Sequence, residues 1–144
     1  MTGARHTVLH VVLFIVFLVV AAGLALALAI VFAPVNLSLE EDGYTLSFLF
    51  HKESGLYADL EQIDLLDESY TSERIRSYGG ISKDFGTYKN EVYGEHFRLT
   101  FSENKHNYIL LKRTDGSVTV FNQKSYDATA ALYDRLAEKL AAIS

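Results

Sequence analysis

RIRSYGGISKDFGTYKNEVYG, residues 74–94, holds four of the nine glycines: Gly79, Gly80, Gly86 and Gly94. Tyr78, Phe85, Tyr88 and Tyr93 are set among them, and Arg74 and Arg76 stand at the entry. Glycine serves where the backbone takes positive φ or where another group must come close. Two arrangements use it at this density: a loop that cradles phosphate, and the corner of a small β fold. A phosphate loop needs GxxxxGK[ST] between a strand and a helix, and the stretch has neither the motif nor a following helix. It is therefore expected to be structural, with Arg76, Gly79, Gly80, Gly86, Tyr88 and Gly94 as corner and bulge positions where one sheet passes into the next. Asp67, Glu68 and Glu73 are the carboxylates within reach of the two arginines.

Working outward from this stretch, the chain reads as short strands. "YGEHFRLTFS" alternates Phe97, Leu99 and Phe101 against His96, Arg98 and Thr100. "YILLKR" and "SVTVFN" follow, joined through Asp115-Gly116, a hairpin signal. On the N-terminal side lie "QIDLLDE", "YTLSFLF" with Leu46, Phe48 and Phe50 on one face, and "NLSLE" before Asp42-Gly43. Short strands in succession with short turns predict an antiparallel sandwich or barrel. The last segment changes period. Tyr126, Ala130, Tyr133, Leu136 or Ala137, Leu140 and Ile143 recur at helical spacing, with Ser125 as N-cap and Asp127 suited to the helix dipole. This helix is expected to lay its apolar face over an opening of the barrel.

The first quarter of the chain meets a different solvent. VVLFIVFLVVAAGLALALAIVFA, Val11–Ala33, is 23 residues without a charge. As a helix it measures about 35 Å, enough for a hydrocarbon core of about 30 Å. It shows no polar face of the kind a soluble core helix carries. Its apolar run exceeds that of a cleavable leader, and Pro34 follows the small residues where a peptidase would cut. The expected organisation is a short flank at 1–7, a transmembrane helix at 8–33 and a β domain at 34–144. Arg5 precedes the helix and no base follows before Lys52. The positive-inside rule then favours the domain on the extracytoplasmic side of the cell membrane. Ala21, Ala25, Ala29 and Ala33 form a row that would allow close approach of a second helix.

Composition narrows the chemistry. With no cysteine in 144 residues, disulfides and thiolate metal sites are excluded. Net charge is −5, and every acidic residue lies after position 39. An acidic domain is a poor nucleic-acid binder, because that affinity rests on neutralising phosphates. His6, His10, His51, His96 and His106 make no ligand spacing, and no GxSxG elbow marks a nucleophile. His96 and His106 are expected to face each other across a hairpin, as surface residues. No catalytic residue, metal or cofactor is expected.

The ordered set of Ile63, Arg76 with Gly79, Gly86 and Tyr88 in "FGTY", Gly94, two closing hairpins and a final helix resembles bacterial pleckstrin-homology (PH) domain proteins. The resemblance covers residues 36–143. It implies a seven-stranded antiparallel barrel closed by the C-terminal helix, here after one membrane helix. Phosphoinositide-binding members hold phosphates with bases at the first hairpin. Here that turn reads Glu40-Glu41-Asp42-Gly43 and would repel an anionic headgroup. The implied function is a non-enzymatic, membrane-anchored interaction module that binds a protein partner or itself. The alternative is a barrel with a small-ligand or catalytic pocket.

Overall fold

The computed structural model describes residues 2–33, 35–48, 51–79 and 82–143, with backbone alone for residues 2–5. The chain divides into two compact units, Met1–Ala33 and Pro34–Ser144. The first is a single helix, α1, Thr2–Phe32. At 1.5 Å per residue its 31 residues span about 46 Å. Helix therefore continues back through the polar flank, where no proline or glycine pair interrupts it. The apolar side chains from Val8 to Ile30 are exposed. The segment His6–Phe32 is long enough and apolar enough to cross a membrane.

The second unit is mainly β. Its strands are β1 Asn36–Leu39, β2 Gly43–Phe48, β3 His51–Leu56, β4 Leu60–Asp67, β5 Glu73–Gly79, β6 Lys83–Asn90, β7 Gly94–Phe101, β8 Asn107–Arg113 and β9 Val118–Phe121, followed by α2, Tyr126–Ile143. They form a three-stranded sheet, β1-β2-β3, and a six-stranded sheet in the order β4-β8-β9-β7-β6-β5. The sequence expectation of seven antiparallel strands in a barrel needs three corrections. Nine strands occur among the described residues, the two sheets are not closed, and β7 runs parallel to β9. Three of the nine have polar or glycine-rich sequences that give no alternation signal: HKESGL in β3, ERIRSYG in β5 and KDFGTYKN in β6.

The parallel pair has a local cause. β7 and β8 do not pair as a hairpin: β9 lies between them, and Asn122, just after β9, bonds to the segment that joins them. Its Oδ1 accepts from the Phe101 amide at 2.8 Å, and its Nδ2 donates to the Asn104 carbonyl at 2.7 Å. Asn104 Nδ2 in turn donates to Asn107 Oδ1, to the Gln123 carbonyl and to Thr129 Oγ1. These asparagines are buried, and each polar atom they bring inside needs such a partner. The network holds the ends of β7, β8, β9 and α2 together.

One face of the large sheet makes the main core. Leu99, Ile109, Leu111 and Phe121 are fully buried there. The small sheet covers this face: Phe48 meets Phe85 edge-on at 5.3 Å, and His51 stacks on Phe97 at 4.2 Å. Arg113 ties the layers by pairing with Glu53 and donating to the Tyr44 hydroxyl. α2 packs on β8 and β4. Ser125 Oγ caps it by accepting from the Ala128 amide at 3.2 Å. Its buried face is Thr129, Leu132 and Leu136, whereas Tyr126 and Ile143 are exposed. The expected apolar stripe is thus rotated toward Leu132, because Thr129 is drawn inward by the asparagine network.

The other face of the sheet is enclosed by curvature. β4 and β5 are the two edges, yet only Glu68–Ser72 join them. Six strands laid flat would separate the edges by about 24 Å, given a spacing of about 4.8 Å. Six peptide steps reach about 20–22 Å at full extension. A turn shortens the link further, with the Tyr70 amide bonded to the Asp67 carbonyl at 3.2 Å. The sheet must therefore curl around this face, giving a trough whose edges approach without pairing.

Candidate functional site at the mouth of the curled sheet

Inside the trough stand the side chains that alternate with the main core: His96, Arg98 and Thr100 of β7, Tyr88 of β6, Tyr108 and Leu110 of β8, Val118 and Val120 of β9. Tyr108, Leu110, Val118 and Val120 form an apolar floor, with Leu66, Tyr70 and Tyr93 packed against it. The Arg98 guanidinium is ringed by aromatics. Its carbon lies 4.7 Å from the Tyr88 ring centre, 5.8 Å from Tyr70 and 5.9 Å from Tyr108. Such placements are attractive for a half-buried cation. Nε donates to Thr100 Oγ1 and Nη1 to Ser72 Oγ, both at 3.0 Å. Among the described residues no carboxylate pairs with Arg98.

Beside it runs an ordered hydrogen-bond chain. His96 Nδ1 lies 2.9 Å from the Gly94 carbonyl, which can only accept, so this nitrogen carries a proton. In the neutral ring Nε2 then accepts, and the Tyr70 hydroxyl donates to it at 2.6 Å. The Tyr70 and Ser72 hydroxyls are 3.2 Å apart, which links the chain to Arg98. Burial pushes the His96 pKa below its ordinary value; the Gly94 bond opposes this and Arg98 adds to it. Burial also raises the Tyr70 and Tyr108 phenols. Burial thus holds the two phenols toward their protonated form and the imidazole toward its neutral form beside the arginine.

A cavity of about 640 Å³ opens at this end of the trough. It lies between the Glu68–Ser72 link and the turn from β6 to β7, which are held together by Asn90 Nδ2 donating to the Thr71 carbonyl at 3.0 Å. Tyr70, Tyr93, Leu66 and Val92 give it an apolar wall, and Asp67, Glu73 and Glu91 stand at its rim with Lys89. Tyr70 and Ser72 line the cavity and also touch Arg98.

The sequence-predicted positions fall around this site. The stretch 74–94 is the β5–β6 hairpin and the turn into β7, all within one sheet. Arg76 follows a bulge in β5 and sits opposite Thr87. Gly86 lies beside that bulge at φ +141°, and a Cβ there would come within 2.3 Å of the Arg76 carbonyl oxygen. Gly94 takes φ +64° with open space around it. Gly79 faces Asp84 and Arg74, which pair with each other at 3.3 Å rather than with the carboxylates of residues 67, 68 or 73. Gly80 lies outside the described residues. Tyr88 is buried in the trough. His96 and His106 do not face each other: β9 lies between β7 and β8, and His106, just before β8, is exposed beside Glu68 at 3.4 Å. His96 is buried, not a surface residue. Arg98, Tyr70 and Tyr108 were not singled out by sequence reasoning; the available signal was the tyrosine content of residues 70–108 around a lone arginine in an alternating strand. Compared with family models, curated proteins and solved structures, the chain matches none.

Proposed function

We propose that this chain is a membrane-anchored, non-enzymatic binding module whose recognition site is the mouth of the curled sheet. The observation that carries this reading is the open cavity of about 640 Å³ where the two sheet edges meet. It falls within the ~300–1,000 Å³ usual for ligand sites, and barrel mouths are common places for them. Recognition is favoured over turnover because both nitrogens of His96 are already committed, leaving it no lone pair for a substrate proton. The length and apolar character of α1 support the anchor. Anchoring raises local concentration, so a modest site suffices for a protein partner or a second copy. The likeness to PH modules enters only through the succession of strands closed by one helix. The parallel β7–β9 pair and the open sheets depart from it, and the acidic Glu40–Asp42 turn argues against phosphoinositides, so no ligand is carried over.

A photo-cross-linking residue placed at Val92, which is 77% exposed at the cavity, tests this reading in membranes. We expect a discrete adduct from Val92 and none from Lys105, between β7 and β8. Equal labelling from both positions, or none from Val92, would reject the mouth as the recognition site. We further propose an extracytoplasmic domain, from the single flanking Arg5. Protease added to intact cells should then remove residues 35–144; protection in cells with cleavage in inverted vesicles would reverse the orientation.

A further inference from the structure

We propose that Arg98 anchors a carboxylate group entering through the mouth, and that the ligand carries positive charge at its outer end. This rests on the mouth being the recognition site and names the chemistry it takes. Two independent features point to an anion. The first is a half-buried guanidinium lying against three tyrosine rings, with no carboxylate partner among the described residues and with Nη2 making no hydrogen bond there. Arginine presents a planar fork suited to two parallel bonds with a carboxylate. The second is Tyr88. It is 4% exposed, and its hydroxyl is buried without any hydrogen-bond partner. A buried hydroxyl left unpaired costs stability, and a ligand oxygen would remove that cost.

The path runs through Ser72. Ser72 lines the cavity, with Arg98 behind it, and its hydroxyl accepts from Arg98, so a carboxylate oxygen displacing that hydroxyl takes over an existing donor. The rest of the ligand then lies against Tyr70 and Tyr93. Its outer end meets Asp67, Glu73 and Glu91, against which Lys89 supplies one positive charge. That rim disfavours simple anions and selects ligands that are acidic at one end and basic at the other, such as a chain terminus preceded by lysine.

The test uses the full chain in nanodiscs of zwitterionic lipid, titrated with N-acetyl-Lys-Phe and followed by calorimetry. We expect binding that weakens at least about tenfold when the dipeptide is C-terminally amidated, the scale of a lost charge-assisted pair. Arg98→Gln should do the same. Tyr88→Phe keeps the ring and removes the unpaired hydroxyl; it should weaken binding about three- to tenfold while leaving the unliganded melting temperature unchanged or higher. Glu91→Gln should weaken binding severalfold at low salt and little at high salt. Equal affinity for the acid and amide, or unchanged binding by a folded Tyr88→Phe chain, overturns the proposal. So does competition by acetate at the same concentration as the dipeptide, since the rim would then have no part. If Val92 still cross-links to a partner while these peptides fail to bind, the binding module stands and the carboxylate anchor falls.

Discussion

Gly86 shows how one residue sets the edge of the large sheet. The bulge between Arg74 and Arg76 pushes backbone toward it, and Ser77 Cα lies 2.5 Å from where a side chain would begin. Positive φ adds a second penalty for any other residue. Gly86→Val is expected to cost about 1–3 kcal/mol in chemical denaturation, the range for strained backbone positions. The histidines set the response to acid. Burial lowers the pKa of His96 and of His51, so the folded chain resists protons that the unfolded chain accepts below about 6.5. Stability is therefore full above that pH and falls as pH drops through it toward the folded values. Denaturation midpoints between pH 7.5 and 5 should decline, and His96→Gln should flatten part of the decline. Asp67 and Asp115, held low by bonds from Ser69 and Ser117, add a loss of the same sign only below about pH 4. Of the site itself, little was legible. Alternation in "HFRLTF" shows that Phe97, Leu99 and Phe101 share a face opposite His96, Arg98 and Thr100. It does not show that the second face is also covered, because covering it depends on a link 26 residues away that brings Tyr70 over His96.

Among the elements, legibility followed periodicity. α1, the strands with regular alternation and α2 are readable because a repeating apolar pattern persists over several residues. β3, β5 and β6 escape it. Their edge or glycine-bearing sequences are set by neighbouring strands, as in Gly55, where a side chain would meet the Tyr44 ring within 3.0 Å. Strand order escapes it too, since a parallel partner inserted between two sequence neighbours leaves no mark on either pattern. α2 allows a sharp test of its true face. Leu136 is fully buried and Leu136→Ala should cost about 2–5 kcal/mol. Tyr126, which the helical spacing placed on the apolar stripe, is 54% exposed, and Tyr126→Ala should stay within about 0.5 kcal/mol. Thermal melts of both variants in the same membrane mimetic compare them directly; equal losses would mean that the helix docks by the other stripe.

At the scale of the whole molecule, the place of β9 has a consequence for biosynthesis. β7 is complete at Phe101, but its neighbour β9 ends twenty residues later at Phe121. At translation rates of about 5–20 residues per second, that interval lasts about 1–4 s. During it the emerging chain holds β5-β6-β7 as one piece and β4, joined by β8 once Arg113 is made, as another, with no seam between them. Leu99 and Phe97 are bare, and β7 offers an unpaired edge to any passing strand. Nascent chains arrested with residues through Ser117 clear of the ribosome should be digested readily by added protease. Those with Ile143 clear should resist it. The strand made almost last is the keystone, so a polypeptide cut short before β9 loses more than its final strand: the large sheet is left as two unjoined pieces, β4-β8 and β5-β6-β7.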